Sequence, residues 1–246
     1  MSIESAEELR ALQRAGCVVR EALEAMRDAV RPGATTAQVD AAGAAVLRRH
    51  GARSAPRLVY GFPGWTLISV NDEAVHGIPG RRRLGGGDLV KLDVTVELDG
   101  FFADAAVTVS VPPARRDGRR LAACARFAFR RAMSVASAGR PVREVGRAVD
   151  AEVQRWGYRV LRDLNGHGIG RTIHEPPTVP NFDDADCDEV LTEGMVITIE
   201  PLVSAGSRFV KEDRDGWTVR SVDGALCAHH EHTMVITRGR PMLLTA

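Results

Sequence analysis

Lysine is nearly missing from this chain of 246 residues: Lys91 and Lys211 are the only two among 33 basic residues, so almost every base is arginine. Those bases are matched by 32 acids, leaving a formal net charge of +1. No overall field therefore steers the protein toward nucleic acid or a membrane surface. Long apolar runs are also absent, and none approaches the roughly 18 residues that span a bilayer. The opening MSIESAEELRALQRAG carries acids and no apolar core, which is unlike a secretory signal. Cysteine is sparse and scattered, at Cys17, Cys124, Cys187 and Cys227, with no CxxC pair. Such spacing is unlike a disulfide framework and fits reduced thiols, so the expected compartment is the cytoplasm, with no membrane partner.

What remains is an ordinary globular composition, 44% apolar and 26% charged. The pattern suggests an internal duplication. PGATTAQVDAAGAAVLRRHGAR starts at Pro32, and AGRPVREVGRAVDAEVQRWGYR starts at Ala138. Aligning Gly33 with Gly139 also aligns Val39 with Val145, Leu47 with Val153 and Gly51 with Gly157. Each stretch follows a predicted helix, Ala6–Val30 or Arg119–Ala138, and each forms a second helix stopped at a glycine. Strands follow in both halves.

Asp88–Leu98 reads DLVKLDVTVEL, with apolar residues alternating against Lys91, Asp93, Thr95 and Glu97, the period of a half-buried strand. Asp99-Gly100 supplies a two-residue hairpin turn before FFADAAVTVSV returns. A tight turn sets Leu98 opposite Phe101 and Thr95 opposite Asp104. Asp93 and Asp104 then become diagonal neighbours on one face, about 7–8 Å apart at the backbone. In the second half, GMVITIEPLV carries Glu200 and HHEHTMVIT carries Glu231 in β-branched runs. Asp93 lies sixty residues after Gly33 and Glu200 sixty-one after Gly139, so the duplication sets acids at equivalent places.

Four acids on strands, with an imidazole between glycines in NGHGIGRTIHEPP, form a ligand list suited to a pair of divalent metals. Hard carboxylate oxygens with one neutral nitrogen suit Mn, Fe, Co or Zn. Two such ions about 3.5–4 Å apart share a water and clamp a tetrahedral intermediate.

SVNDEAVHGIP, KLDVTVELDGFFADAA, GHGIGRTIHEPP, GMVITIEP and HHEHTMVIT occur in this order. Through them the chain resembles the type I methionine aminopeptidases of the pita-bread metallopeptidases, from about Glu8 to Leu244. The resemblance implies an α+β, pseudo-twofold pita-bread fold, with a curved antiparallel sheet covered by helices. It implies one catalytic domain over 1–246, with halves of roughly 1–112 and 113–246. The implied function is removal of the initiator methionine from nascent chains, preferring a small second residue. By the same resemblance Asp93, Asp104, His167, Glu200 and Glu231 hold two divalent ions, drawn from Co, Mn, Fe or Zn. Asp104 and Glu231 bridge them, and Glu200 doubles as general base. His174 stabilises the oxyanion, His76 meets the substrate's peptide nitrogen, and Phe62, Leu67 and Trp217 line the methionine pocket with them.

Leu67, Val75 and Ile173 depart from the Cys, Cys and Phe common in that family, which questions rate and inhibitor response more than reaction class. A divergent paralogue with an altered pocket is one alternative. An X-Pro aminopeptidase or dipeptidase, with the same five ligands, is another. The family default is a monomer. Arg81–Arg83 and the Arg115–Arg131 segment raise the expectation of docking on ribosomal RNA, although charge runs are usually solvated faces.

Overall fold

The computed structural model describes residues 1–246. The first half runs α1 (Ala6–Ala29), α2 (Thr36–Arg49), β1 (Arg53–Ser54), α3 (Ala55–Tyr60), β2 (Leu67–Val70), β3 (Glu73–Val75), β4 (Leu89–Leu98) and β5 (Phe101–Ser110). The second begins with α4 (Arg116–Met133), α5 (Val142–Arg155), β6 (Arg159–Val160), β7 (Gly166–Gly168), β8 (Glu175–Val179) and β9 (Val196–Ile199). It ends with β10 (Leu202–Ser204), β11 (Val210–Glu212), β12 (Val219–Ser221), β13 (Cys227–His229), β14 (Glu231–Val235) and β15 (Met242–Leu243). The architecture is α+β, and no helix is long and apolar enough to cross a membrane.

Local chemistry sets the helix ends. Ser5 caps α1 by accepting the Glu8 N–H at 3.2 Å. Thr35 and Gln38 form a reciprocal capping box on α2, with bonds of 3.2 and 2.9 Å. Gly51 and Gly157 follow the second helix of each pair at φ +66° and +80°, a left-handed conformation that costs glycine little. α4 stops five residues before the expected Ala138, where the Ser134 hydroxyl donates to the Arg131 carbonyl at 2.7 Å.

The main sheet runs β1-β4-β5-β14-β9-β7-β8, with β2 added beside β4 and β15 beside β14. Its centre joins strands from both halves of the chain, because β5 pairs with β14. The β4–β5 hairpin has the expected register, Leu98 opposite Phe101 and Thr95 opposite Asp104. Its turn residues Asp99 and Gly100 stand at φ +53° and +83°, the geometry of a twisted two-residue turn. β4 is not half-exposed. Lys91, Thr95 and Glu97 are buried like the valines on the other face. Thr95 turns with Asp93 toward a cavity, Lys91 donates to the Asn71 carbonyl, and Glu97 pairs with Arg53 and accepts the Gly100 N–H.

Two apolar cores support the sheet. Under α1 and α2, Val19, Val39 and Leu47 meet Val90, Leu92 and Val94. Under α4 and α5, Leu121, Val145 and Val149 meet Ile197, Ile199 and Met234. α1 also closes against the C-terminal segment, where a Cβ on Gly16 would lie 2.1 Å from the Leu244 carbonyl oxygen. Gly16→Ala should therefore force that contact apart at a cost of about 1–3 kcal/mol. The thermal midpoint should fall by about 2–4 °C for each kcal/mol. A midpoint equal to wild type by calorimetry would show that the C-terminal segment shifts freely.

Candidate metal centre and apolar cavity

Asp93 on β4 and Asp104 on β5 face a cavity of about 390 Å³. Glu200, just after β9, and Glu231, opening β14, face it from the second half, with His167 on β7. The remaining residues singled out in the sequence, His76, His174, Phe62, Leu67 and Trp217, line the same cavity.

The carboxylates are supported mostly by threonines. Thr95 donates to Asp104 Oδ2 at 2.8 Å. Thr198 donates to Glu200 Oε1 at 3.0 Å and accepts the His167 backbone N–H at 3.1 Å, tying two site residues through one hydroxyl. The Thr233 hydroxyl accepts the Asp104 N–H and donates to the Asp104 carbonyl, both at 2.8 Å. Asn181 donates to the Glu200 carbonyl at 3.0 Å. These supports were not singled out in the sequence, although alternation sets Thr95 and Asp93 on one face of β4 and Glu200 and Thr198 on one face of their strand run.

Burial, followed by the charges of its neighbours, pushes each of the four carboxyls well above its ordinary range. Asp104 acts most on Asp93, Glu231 on both Asp104 and Glu200, and Asp93 on Glu231. Burial lowers the His167 imidazole to about 4, keeping it neutral as a ligand must be. Its Nδ1 lies 2.9 Å from the Gly168 carbonyl, which leaves Nε2 facing Glu200 Oε1 at 3.7 Å. Asp104 Oδ1 and Glu231 Oε1 are buried with no hydrogen-bond partner. Like-charged, partly unpartnered oxygens turned toward one point fit a divalent cation. Two overlapping trios have ligand atoms within 4.8 Å of one another: Asp104, His167 and Glu231, and Asp93, His229 and Glu231. His229, on β13, was missed in the sequence. It is the first of three histidines around Glu231, and only strand alternation separates it from His230 and His232, whose rings pack on Phe129.

The glycines beside His167 are explained by backbone packing. A Cβ on Gly168 would lie 2.1 Å from the Pro176 carbonyl oxygen, and one on Gly166 would lie 2.7 Å from that of Thr198. It is the neighbouring strands that need the space. His174 stands more exposed. Its Nδ1 lies 2.6 Å from the Tyr60 hydroxyl, and its ring centroid lies 4.3 Å from that of His167. Tyr60 was also missed, because a tyrosine at a helix end gives no signal of its distant partner. Across the cavity, Phe62 meets Trp217 edge to face at 5.2 Å, and buried Leu67, Val75 and Ile173 complete an apolar wall.

The model of metallopeptidase family M24 matches residues 10–238. Methionine aminopeptidase 2 of Bacillus subtilis is 39% identical over 247 residues, covering 100% of this chain and 99% of that protein. The crystal structure of a methionine aminopeptidase from Thermotoga maritima superposes with a TM-score of 0.96 at 34% identity, covering 100% and 99% of the two chains. A prolidase from Pyrococcus furiosus shares the fold at a TM-score of 0.77 and 24% identity, with 99% of this chain covering 65% of that one.

Adding Mn(II) or Co(II) to chelator-treated protein should raise its thermal midpoint, by the equivalent of about 2.7 kcal/mol at one hundred times the dissociation constant. Asp104→Ala should lose that response. An unchanged wild-type midpoint across the titration would show that the carboxylate cluster holds no cation.

Proposed function

The chain belongs to metallopeptidase family M24 and has its pita-bread fold, and we infer that it is a methionine aminopeptidase, an exopeptidase that removes an N-terminal methionine. The carrying observation is a single cavity in which a buried carboxylate and imidazole cluster adjoins an apolar wall. The full-length likeness to methionine aminopeptidases supports this reading over the X-Pro alternative, for which the likeness is one of fold.

Asp93, Asp104, His167, Glu200 and Glu231 would hold two divalent ions drawn from Co, Mn, Fe or Zn. When bound, such a pair supplies Lewis acidity at the scissile carbonyl and a seat for the uncharged α-amine. Glu200 keeps Oε1 bonded to Thr198, so Oε2 is the oxygen free to take a proton from the attacking water. Tyr60 holds His174 at Nδ1, which leaves Nε2–H to donate to the developing oxyanion, where one such donor is worth about 10²–10³ in rate. His76 would meet the substrate's peptide nitrogen from another part of the cavity wall. Phe62, Leu67 and Trp217 would enclose the methionine side chain, whose thioether gains from aromatic edges. We propose, on the resemblance, a small second residue as the preferred neighbour.

The proposal extends to nascent chains as substrates, the cytoplasm as compartment and a monomer as working state. All four cysteines are free thiols, in keeping with a reducing compartment. Halves 1–112 and 113–246 are taken as a repeat, since each contributes a helix pair and two of the acids. Ribosome docking has support from α4, where Arg116, Arg119, Arg120, Arg126, Arg130 and Arg131 are exposed. The Arg81–Arg83 run supports it less, because Arg82 pairs with Glu73 at 2.7 Å and Arg83 donates to the Gly33 carbonyl at 2.9 Å.

With metal added, the protein should cleave Met-Ala-X peptides and leave X-Pro-Y peptides intact. Glu231→Ala should reduce turnover to background. Preferential X-Pro cleavage, or near-normal turnover by Glu231→Ala, would overturn the assignment. Co-sedimentation with ribosomes should be seen at low salt and lost as salt rises; no binding at low salt would end the docking proposal.

A further inference from the structure

His229 is buried, its side chain only 2% exposed, and neither ring nitrogen has a hydrogen-bond partner. Its Nε2 lies 3.3 Å from Glu231 Oε2 and 3.7 Å from Glu200 Oε2. A buried polar group without a partner carries a desolvation penalty unless a ligand completes it. Its backbone is held firmly for such a task. The Thr108 hydroxyl accepts the His229 N–H at 2.8 Å and donates to the His229 carbonyl at 2.7 Å. Alternation then sends the His229 and Glu231 side chains into the cavity and those of His230 and His232 toward Phe129 on α4.

The two ligand trios each hold one imidazole, His167 with Asp104 and His229 with Asp93, and they meet at Glu231. We propose that His229 is itself a metal ligand, giving the centre a second nitrogen donor on the side of Asp93. This rests on the cation-binding reading above and extends it, because the five-ligand set has one nitrogen only. Two nitrogen donors, one toward each end of the cluster, would shift preference toward the later divalent metals, which favour imidazole more than manganese does. A histidine that merely donated a hydrogen bond to Glu231 would need an aligned N–H, which the ring does not present.

The test is X-ray absorption on protein carrying two equivalents of Co(II), with imidazoles counted from multiple scattering. Wild type should show about one imidazole per cobalt, and His229→Gln and His167→Gln about half as many each. In calorimetric titrations with Co(II), His229→Gln should weaken one of the two equivalents by at least about tenfold, since even a residue behind a ligand is worth 10–100-fold in affinity. Half an imidazole per cobalt in wild type, or a His229→Gln protein unchanged in count and affinity, overturns the proposal. If His229→Gln fails to fold, the wild-type count and the imidazole retained in His167→Gln still decide. Half an imidazole per cobalt in a protein that cleaves Met-Ala-X peptides would remove only His229 from the centre. Failure of wild type to bind Co(II) or cleave those peptides would remove the metallopeptidase reading as well.

Discussion

Four carboxylates buried against one another are the constraint around which the structure is arranged. Each is held above its ordinary pKa by burial and by the charges of its neighbours. Without a counter-charge the cluster opposes folding, since ionised groups taken out of water and set side by side are unfavourable on both counts. Two separate cores, one beneath each helix pair, hold the strands that force the acids together. The stability of those cores is thus spent on a destabilised centre, an arrangement suited to a cation.

Holding the acids is a matter of hydroxyls rather than bases. The only lysine near the centre, Lys91, donates to the Asn71 carbonyl at 2.8 Å. No arginine lines the cavity. Thr95, Thr198 and Thr233 instead orient the carboxylates and the strand backbone. A threonine fixes geometry without neutralising charge, so the attraction for a cation survives. A guanidinium in the same position would satisfy the carboxylate and compete with the ion.

Much of this was legible in the chain. The Asp-Gly turn sets the β4–β5 register by local geometry alone, so Asp93 and Asp104 could be put on one face before any fold was known. The capping residues and glycine stops marked the second helix of each pair for the same reason. Other features depend on contacts distant in the chain. A period-two pattern reads the same whether its polar face meets water or, as on β4, a cavity and buried polar partners, which is why β4 looked half-exposed. Gly166 and Gly168 answer to backbone on β8 and β9. Tyr60 meets a histidine 114 residues away. His229 was hidden by company, because three histidines around one acid look like decoration until alternation assigns them to opposite faces.

The apolar wall and the carboxylate cluster are not independent parts. Leu67 on β2 is the direct antiparallel partner of Asp93 on β4, and residues so paired lie on the same face with Cβ atoms about 4.5–5.5 Å apart. One register therefore sets both the width of the cavity at its apolar wall and the position of Asp93 in the carboxylate cluster. A bulky residue at position 67 fills pocket volume and also packs against the backbone that carries Asp93. Variation here should couple side-chain selectivity to metal affinity, whereas variation at Trp217, which reaches the cavity from the loop before β12, acts on the pocket alone. The departures at Leu67 and Ile173 thus differ in kind. Leu67 is paired with the strand that carries Asp93, and Ile173 precedes His174, whose ring lies beside that of His167.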